Sequence, residues 1–233
     1  MSTELGKIEK PAAEQYRGQR KIYLVPLVFA PRQPSPEYAD LYERYWTGVR
    51  EHLLKLEGSI GPIARVYHEG VGLAGEEGLA LAEQVNEKSG SIARGKVEAG
   101  ASFEALEDQE LVSESFDWQR CLLAGLESRK VAELAWSSYN ETVRQRYELM
   151  ARRIDETLKP EEAGLLFISE EHRVQFPSDI RVFYVAPPAL DEIHRWLRDQ
   201  KARPQEKRPE EPSQGGEEGQ QPDVVDEAPA RLS

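Results

Sequence analysis

Two short segments of the sequence carry side chains that could bind a metal ion or transfer a proton. The first, "YHEG" at residues 67–70, closes one apolar run, and the second, "SEEH" at residues 169–172, follows another. Imidazole and carboxylate groups are ordinary ligands of divalent metal ions, and they also act as general acids and bases. His68, Glu69 and His172 are therefore the candidate catalytic residues and the candidate ligands of a divalent metal cofactor.

Both segments stand at the carboxyl ends of predicted strands, at residues 62–71 and 165–168. In open α/β sheets, ligands bind outside the carboxyl ends of the strands, so the two segments converge on one rim if their strands are neighbours. Side chains alternate along a strand. Only one of His68 and Glu69 then faces a given site, unless the strand has already ended. The alternative is that these side chains, like His172, belong to ordinary turns.

An arginine is the fourth candidate for the same site. Arg146, Met150 and Ile154 recur at a spacing of four along a predicted helix, which favours the buried side for all three. A partly buried arginine can clamp a carboxylate or a phosphate. The alternative is an arginine whose stem covers the edge of the core while its charge reaches water. Upstream, Glu107 or Asp108 either reaches the same rim or forms part of a solvated acidic helix start.

The remaining pattern supplies the elements that would position these residues. Apolar runs predict strands at 21–29, 62–71, 165–168 and 180–185, and apolar stripes predict helices at 36–57, 75–90, 103–126 in part, 128–158 and 187–200. Strands that alternate with long helices predict an α/β fold, with a mostly parallel sheet flanked by helices. The helix at 128–158 is long for a globular protein, so a break near Ser137-Ser138 is expected.

Composition separates a central domain from the two ends of the chain. The sequence is 39% hydrophobic and 31% charged, because residues 1–19 lack an apolar period and residues 200–233 are rich in Pro, Gly, Gln and Glu. Such segments cannot bury enough apolar area to offset chain entropy. The prediction is a single α/β domain at 20–199, with a disordered N-terminal segment and a disordered acidic tail.

Charge and cysteine content limit the class of protein. A net charge of −12 argues against general binding of nucleic acid. The only cysteine, Cys121, lies in an apolar run, which predicts a buried thiol and excludes an intramolecular disulfide. There is no apolar stretch after the first lysines and no run of ~20 apolar residues. These features predict a cytoplasmic protein without a membrane segment.

The stretch at 143–174 resembles a known superfamily. It contains Arg146, Met150-Ala151, Ile154 and Leu158, then an apolar strand and His172. This pattern is similar to the TraB/Tiki, ChaN and erythromycin-esterase-like superfamily, and "VYHEG" at 66–70 resembles its early pair of an acidic residue and a histidine. The resemblance implies an α/β fold with a hydrolytic, metal-linked centre. Ser169 stands where that pattern has glycine.

Three functions follow as expectations. The first is a non-catalytic binding or regulatory module, whose long helix and acidic tail contact an unknown protein partner or a second copy of the chain. The second is a metal-linked, hydrolase-like protein that uses the His/Glu cluster at the carboxyl ends of the strands, with Arg146 nearby. The third rests on the pattern P-x-D-I-x-V-F-x-V at 177–185, which resembles ribosome-associated, release-factor-like proteins. Of these, we expect the binding module.

Overall fold

The computed structural model describes residue 16 and residues 18–202. The strands in this part of the chain are β1 (Arg20–Pro26), β2 (Ile63–His68), β3 (Ser102–Phe103), β4 (Ala163–Ile168) and β5 (Ile180–Tyr184). The helices are α1 (Pro36–Ile60), α2 (Gly75–Val85), α3 (Glu87–Glu98), α4 (Gln109–Leu123), α5 (Arg129–Thr157) and α6 (Pro188–Ala202). Most of the two segments predicted to be disordered, 1–19 and 200–233, lies outside the described residues. Residues 200–202 are helical, so the domain continues past its predicted end at 199.

All five strands are parallel, in the order β3-β2-β4-β1-β5. The predicted α/β fold with a parallel sheet is therefore confirmed. The two strands that precede the candidate segments are direct neighbours, because His68 on β2 pairs with Phe167 on β4. Their carboxyl ends consequently open onto the same edge of the sheet.

The central strands β1 and β4 are buried on both faces of the sheet, whereas the edge strand β5 is largely exposed. Along β1, Tyr23 and Val25 enter one core, whereas Ile22 and Leu24 enter the other. The first core lies beneath α1, α2, α3 and α6, and the second lies beneath α5 and the segment that leads to β5. A strand that is covered on both faces needs apolar side chains at nearly every position. This requirement explains why the strands are readable in the sequence as nearly continuous apolar runs.

Local signals fix α1 and its neighbour α6. The hydroxyl of Ser35 accepts a hydrogen bond from the backbone N–H of Tyr38 at 3.2 Å, and Pro36 occupies the first turn. Both are preferred at a helix start. On the same helix, a Cβ atom added at Gly48 would lie 2.7 Å from the Cβ of Pro187. The glycine is therefore what allows the start of α6 to pack closely on α1.

The helix predicted at 75–90 is in fact the helix α2 followed by the start of α3. Asn86 separates them, and its Oδ1 accepts hydrogen bonds from the backbone N–H groups of Lys88 and Ser89, each at 3.1 Å. Its Nδ2 donates to the carbonyl of Val28 at 2.9 Å. Asparagine favours this capping position because its short side chain replaces the missing intrahelical acceptors. The same residue thus starts a helix and ties it to the segment after β1.

The expected break in the longest helix is wrong, because α5 is continuous from Arg129 to Thr157. Its first half packs against α4, where Thr142 donates a hydrogen bond to Glu114 at 3.1 Å. The predicted burial of Cys121 is also wrong, since this residue is exposed. The buried residues of α4 are only Val112 and Ser115, near its start. Among residues 16 and 18–202, every helix is too short or too polar to cross a bilayer.

Candidate functional site

The candidate site is a crevice where the chain leaves two neighbouring strands in opposite directions. From β1 the chain passes to β2 through α1, on the first face of the sheet. From β4 it passes to β5 through residues 169–179, on the second face, where Val174 enters the core. Adjacent connections that diverge in this way leave a gap above the strand ends, which is the usual place for a ligand in such sheets.

The crevice has a volume of about 760 Å³, and aromatic side chains form much of its wall. The aromatic residues are Phe29, Phe116, Trp136, Tyr139 and Tyr147. Phe29, Phe116 and Trp136 are 52%, 54% and 58% exposed. The rings of Trp136 and Tyr139 lie 6.0 Å apart. Exposed aromatic surface that gathers in a concave site is a mark of binding function.

Glu69 provides a carboxyl group to this crevice. Ser169 holds it, donating from its backbone N–H at 2.6 Å and from its hydroxyl at 3.3 Å. Desolvation raises the pKa of Glu69, and the charge of Glu107 raises it further, against the opposing effects of Ser169 and Arg146. The side chain is only partly exposed to solvent. A carboxyl group in this setting can accept hydrogen bonds, pair with a cation or exchange a proton.

Arg146 lies beside Glu69 but is bound by another carboxylate. Its guanidinium donates to both oxygens of Glu107, at 2.5 and 3.1 Å, and to the hydroxyl of Ser115 at 3.1 Å. The side chain of Glu107 is fully buried, and it also accepts from the backbone N–H of Gly70 at 3.2 Å. Desolvation lowers the pKa of Arg146, but the bonds and charge of Glu107 outweigh this effect and raise it. Arg146 therefore clamps a carboxylate of the chain itself, and its part in binding a ligand stays a prediction.

Tyr147 completes the polar floor. Burial raises the pKa of its hydroxyl, and the neighbouring charge of Glu69 raises it further. Ser169 lies between the two residues, since it bonds to Glu69 and also interacts with the phenol. A neutral phenol beside a carboxyl group offers a hydrogen-bond donor next to an acceptor.

The structure does not bring His68 into the crevice. His68 and Glu69 follow one another at the end of β2 and point to opposite faces, as strand alternation requires. His68 is fully buried above the first core, where its Nε2 contacts the Ser89 hydroxyl at 2.9 Å and its Nδ1 contacts the Glu69 carbonyl at 2.6 Å. Burial lowers the pKa of His68 to about 4. The ring is therefore neutral near pH 7, its Nδ1 donates to the Glu69 carbonyl, and its Nε2 lies against the Ser89 hydroxyl, inside the protein and away from the crevice.

His172 lies on the opposite side of the sheet from His68, so the expected convergence of the two histidines is wrong. Its Nδ1 accepts a hydrogen bond from the backbone N–H of Val174 at 3.3 Å, and its ring lies 6.1 Å from that of Phe176. Burial lowers the pKa of His172. Within the described part of the chain, no group of three or more His, Cys, Asp and Glu side chains is arranged to hold a metal ion. The divalent metal thus remains an expectation of the sequence, without a ligand cluster among these residues.

The rim of the crevice is fixed by the end of the sheet. Glu170 accepts a hydrogen bond from the Tyr184 hydroxyl at 2.8 Å and contacts Nε2 of His194 at 2.6 Å. These contacts connect the segment after β4 to β5 and α6. The carboxylate of Glu170 therefore already has partners, whereas Glu69 is open to the crevice and, among the residues that the structure describes, is held by Ser169 alone.

Sequence reasoning missed the aromatic wall. Phe116 and Trp136 occur on helices α4 and α5 at positions that are not buried by the fold. Each belongs to a segment that periodicity describes as an ordinary amphipathic helix. A signal was present, because two large aromatic side chains fall outside the buried positions of their own helices. Their meeting with Phe29, over 80 residues earlier in the chain, depends on tertiary structure.

Comparison with known proteins found no matching family model, no matching curated protein and no matching solved structure. The likeness to the TraB/Tiki, ChaN and erythromycin-esterase-like superfamily therefore stays a prediction. The fold and the crevice carry the functional argument.

Proposed function

We propose that this protein is a non-catalytic binding module whose ligand is a small organic molecule held in the crevice between β1 and β4. The observation that carries this proposal is the aromatic wall beside the carboxyl group of Glu69, at the place where the connections after β1 and β4 leave the sheet in opposite directions. Small-molecule sites are concave, about 300–1,000 Å³ in volume, mostly apolar, and equipped with a few polar groups. The crevice has a volume in this range and an aromatic wall, and about half of the residues that line it are polar.

The bonding of the polar groups supports binding rather than catalysis. Arg146 is occupied by Glu107 and Ser115, and Glu170 is occupied by Tyr184. Such groups shape and rigidify a site, because moving them would leave buried charges without partners. Glu69 is a carboxyl group that hydrogen bonds hold in place and that a ligand can reach without displacing another ion pair. A pre-formed site of this kind favours affinity, since little ordering is required on binding.

Ligand-observed NMR with a library of soluble aromatic fragments tests the proposal. We expect fragments that bind the wild type and lose affinity at least tenfold in Trp136→Ala and Phe116→Ala. Leu134→Ala is the matched control, because Leu134 is also on α5 and 63% exposed but does not line the crevice. Fragments that bind all four proteins equally, or a library without a binder, would contradict the proposal.

A second candidate function is acid–base catalysis at the same place. The raised pKa of Glu69 favours it, because a general base works best when its pKa approaches the working pH. Tyr147 would then supply the hydrogen-bond donor. Hydrolysis of chromogenic esters or glycosides by the wild type, abolished in Glu69→Gln and reduced in Tyr147→Phe, would replace the binding proposal with this one. Activity that persists in Glu69→Gln would exclude the crevice as its source.

We also propose a cytosolic location, which the single, unpaired cysteine supports.

Protein partners would meet the crevice through its exposed wall. A binding module whose ligand covers Phe29, Phe116 and Trp136 would present a different surface when loaded than when empty. This difference gives the module a route to regulation.

A further inference from the structure

We infer that the natural ligand of the crevice is an organic cation, namely a protonated nitrogen base with N–H donors attached to a flat apolar body. This inference rests on the proposed function and names its ligand class. Its ground is the unequal treatment of the carboxylates at the carboxyl edge of the sheet. Glu107 is paired with a cation of the protein, whereas Glu69 faces the crevice without one from the described residues.

Glu107 and Glu69 make the contrast directly. Glu107 receives two bonds from Arg146 and a third from Gly70. Glu69 receives its bonds from Ser169 alone, and no cation lies within 4.0 Å of its carboxylate among residues 16 and 18–202. A carboxylate that is largely withdrawn from water is unfavourable unless it is paired. A cationic ligand would supply this missing partner.

The charges beside Glu69 favour a cationic ligand at this point of the crevice. The donors of Arg146 point to Glu107 and Ser115. The rim adds Glu170 and Glu171, and also one exposed arginine, Arg173, to the lining. An ammonium, amidine or guanidine at Glu69 would meet complementary charge, whereas a carboxylate or phosphate at the same place would meet a like charge.

The aromatic wall is suited to the same ligand. A cation placed over an aromatic face within about 6 Å of the ring centre is attracted by the ring quadrupole. Phe29, Phe116 and Trp136 are exposed at the crevice, and Tyr139 lies beside Trp136. Flat rings also stack on an apolar body at little cost in side-chain ordering. The carboxyl floor and the aromatic wall therefore recognise the two ends of one molecule.

Cation binding at Glu69 must be coupled to protons. The groups that face its carboxyl are Glu107 before α4, Arg146 and Tyr147 on α5, and Ser169 after β4. Together with desolvation they hold the pKa of Glu69 above its ordinary value. At a pH near that value part of the population is protonated, and a cation binds only the ionised form. Binding therefore releases a proton, and affinity falls as the pH decreases.

Benzamidine, benzamide and benzoate test this inference, because they share one ring and differ in charge. We expect calorimetry near neutral pH to show benzamidine binding at least tenfold more tightly than the other two. Glu69→Gln should weaken benzamidine binding at least tenfold and so remove this preference, and an unfolding midpoint close to that of the wild type shows that the variant is folded. Glu156→Gln is the matched control, since it removes one exposed carboxylate at the far end of α5. Repeating the titration at successively lower pH should show benzamidine affinity falling in the wild type, and this fall should be absent in Glu69→Gln.

The outcomes separate the ligand class from the proposed function. If benzamide or benzoate binds as tightly as benzamidine, with an effect of Trp136→Ala, then the crevice binds ligands but the cation inference is wrong. If benzamidine binds and Glu69→Gln has no effect, the inference is also wrong. If none of the three probes binds and the fragment library has no crevice binder, both proposals fail.

Discussion

Replacing Arg146 with methionine is the sharpest test of how the site is built. Methionine retains an unbranched apolar stem of similar reach but removes the guanidinium. Glu107, whose side chain is fully buried, would keep only the Gly70 N–H as a partner for its carboxylate. Breaking a buried pair in this way leaves an uncompensated charge and costs about 3–5 kcal/mol.

The expected shift is large enough to measure by urea unfolding followed by circular dichroism. With a denaturant dependence of about 2 kcal/mol per molar urea, the midpoint should fall by roughly 1.5–2.5 M. The matched control is Arg144→Met, two positions away on α5. Arg144 also pairs with two carboxylates, Glu141 and Glu148, but all three are exposed, so its replacement should leave the midpoint within experimental error.

A double variant distinguishes a stranded charge from lost packing. In Arg146→Met with Glu107→Gln, the buried carboxylate becomes a neutral amide that can still accept from Gly70. Most of the lost stability should return, because the large cost belongs to the unpaired charge. The reasoning is refuted if Arg146→Met unfolds at the wild-type midpoint, or if the double variant is no more stable than the single one.

Three further predictions concern the scaffold, at His68, Asn86 and Gly78. His68 is buried with a pKa of about 4, so between about pH 6.5 and 4 the unfolded chain binds a proton that the folded protein does not. The free energy of unfolding, measured with urea, should therefore fall by up to roughly 3 kcal/mol as the pH decreases across that window. His68→Gln should reduce this dependence of stability on pH. Asn86→Ser should keep the helix cap but lose the bond to Val28, and Asn86→Ala should lose both and melt lower in a thermal scan; equal melting of the two would contradict this reading. Gly78→Ala would place a Cβ 2.0 Å from a backbone oxygen and should lower the melting temperature, whereas Gly95→Ala, with nothing within 4 Å, should match or exceed the wild type.

The sequence predicted the sheet well because burial on both faces leaves a local trace. β1 and β4, which are buried on both faces, are visible as apolar runs, and β5 is visible although much of it is exposed. The adjacency of β2 and β4 was a condition of the rim hypothesis, and the structure supplied it. The two-residue strand β3 left no such trace, since two residues cannot show a period. The continuity of α5 was also hidden, because the support for its first half comes from α4.

The candidate site was predicted in its parts but not in its pairings. Alternation showed that His68 and Glu69 oppose each other, but it could not show which face carries the crevice. Glu107 and Arg146 were each identified as candidates, 39 positions apart, yet a bond between them depends on how α5 crosses the sheet. Residue type and spacing describe one element at a time. The assignment of partners between elements required the structure.

The position of β1 within the sheet bears on how the chain folds during synthesis. β1 pairs with β4 and β5, and Lys21 lies opposite Ala163, which is about 140 positions later in the chain. During synthesis β1 therefore has no neighbouring strand until β4 has been made. Pairings between such remote segments form slowly, because the intervening loop must close before any contact compensates for it. Until β4 leaves the ribosome, the apolar strand β1 has no strand to pair with, and we expect the nascent chain to depend most on chaperones during that interval.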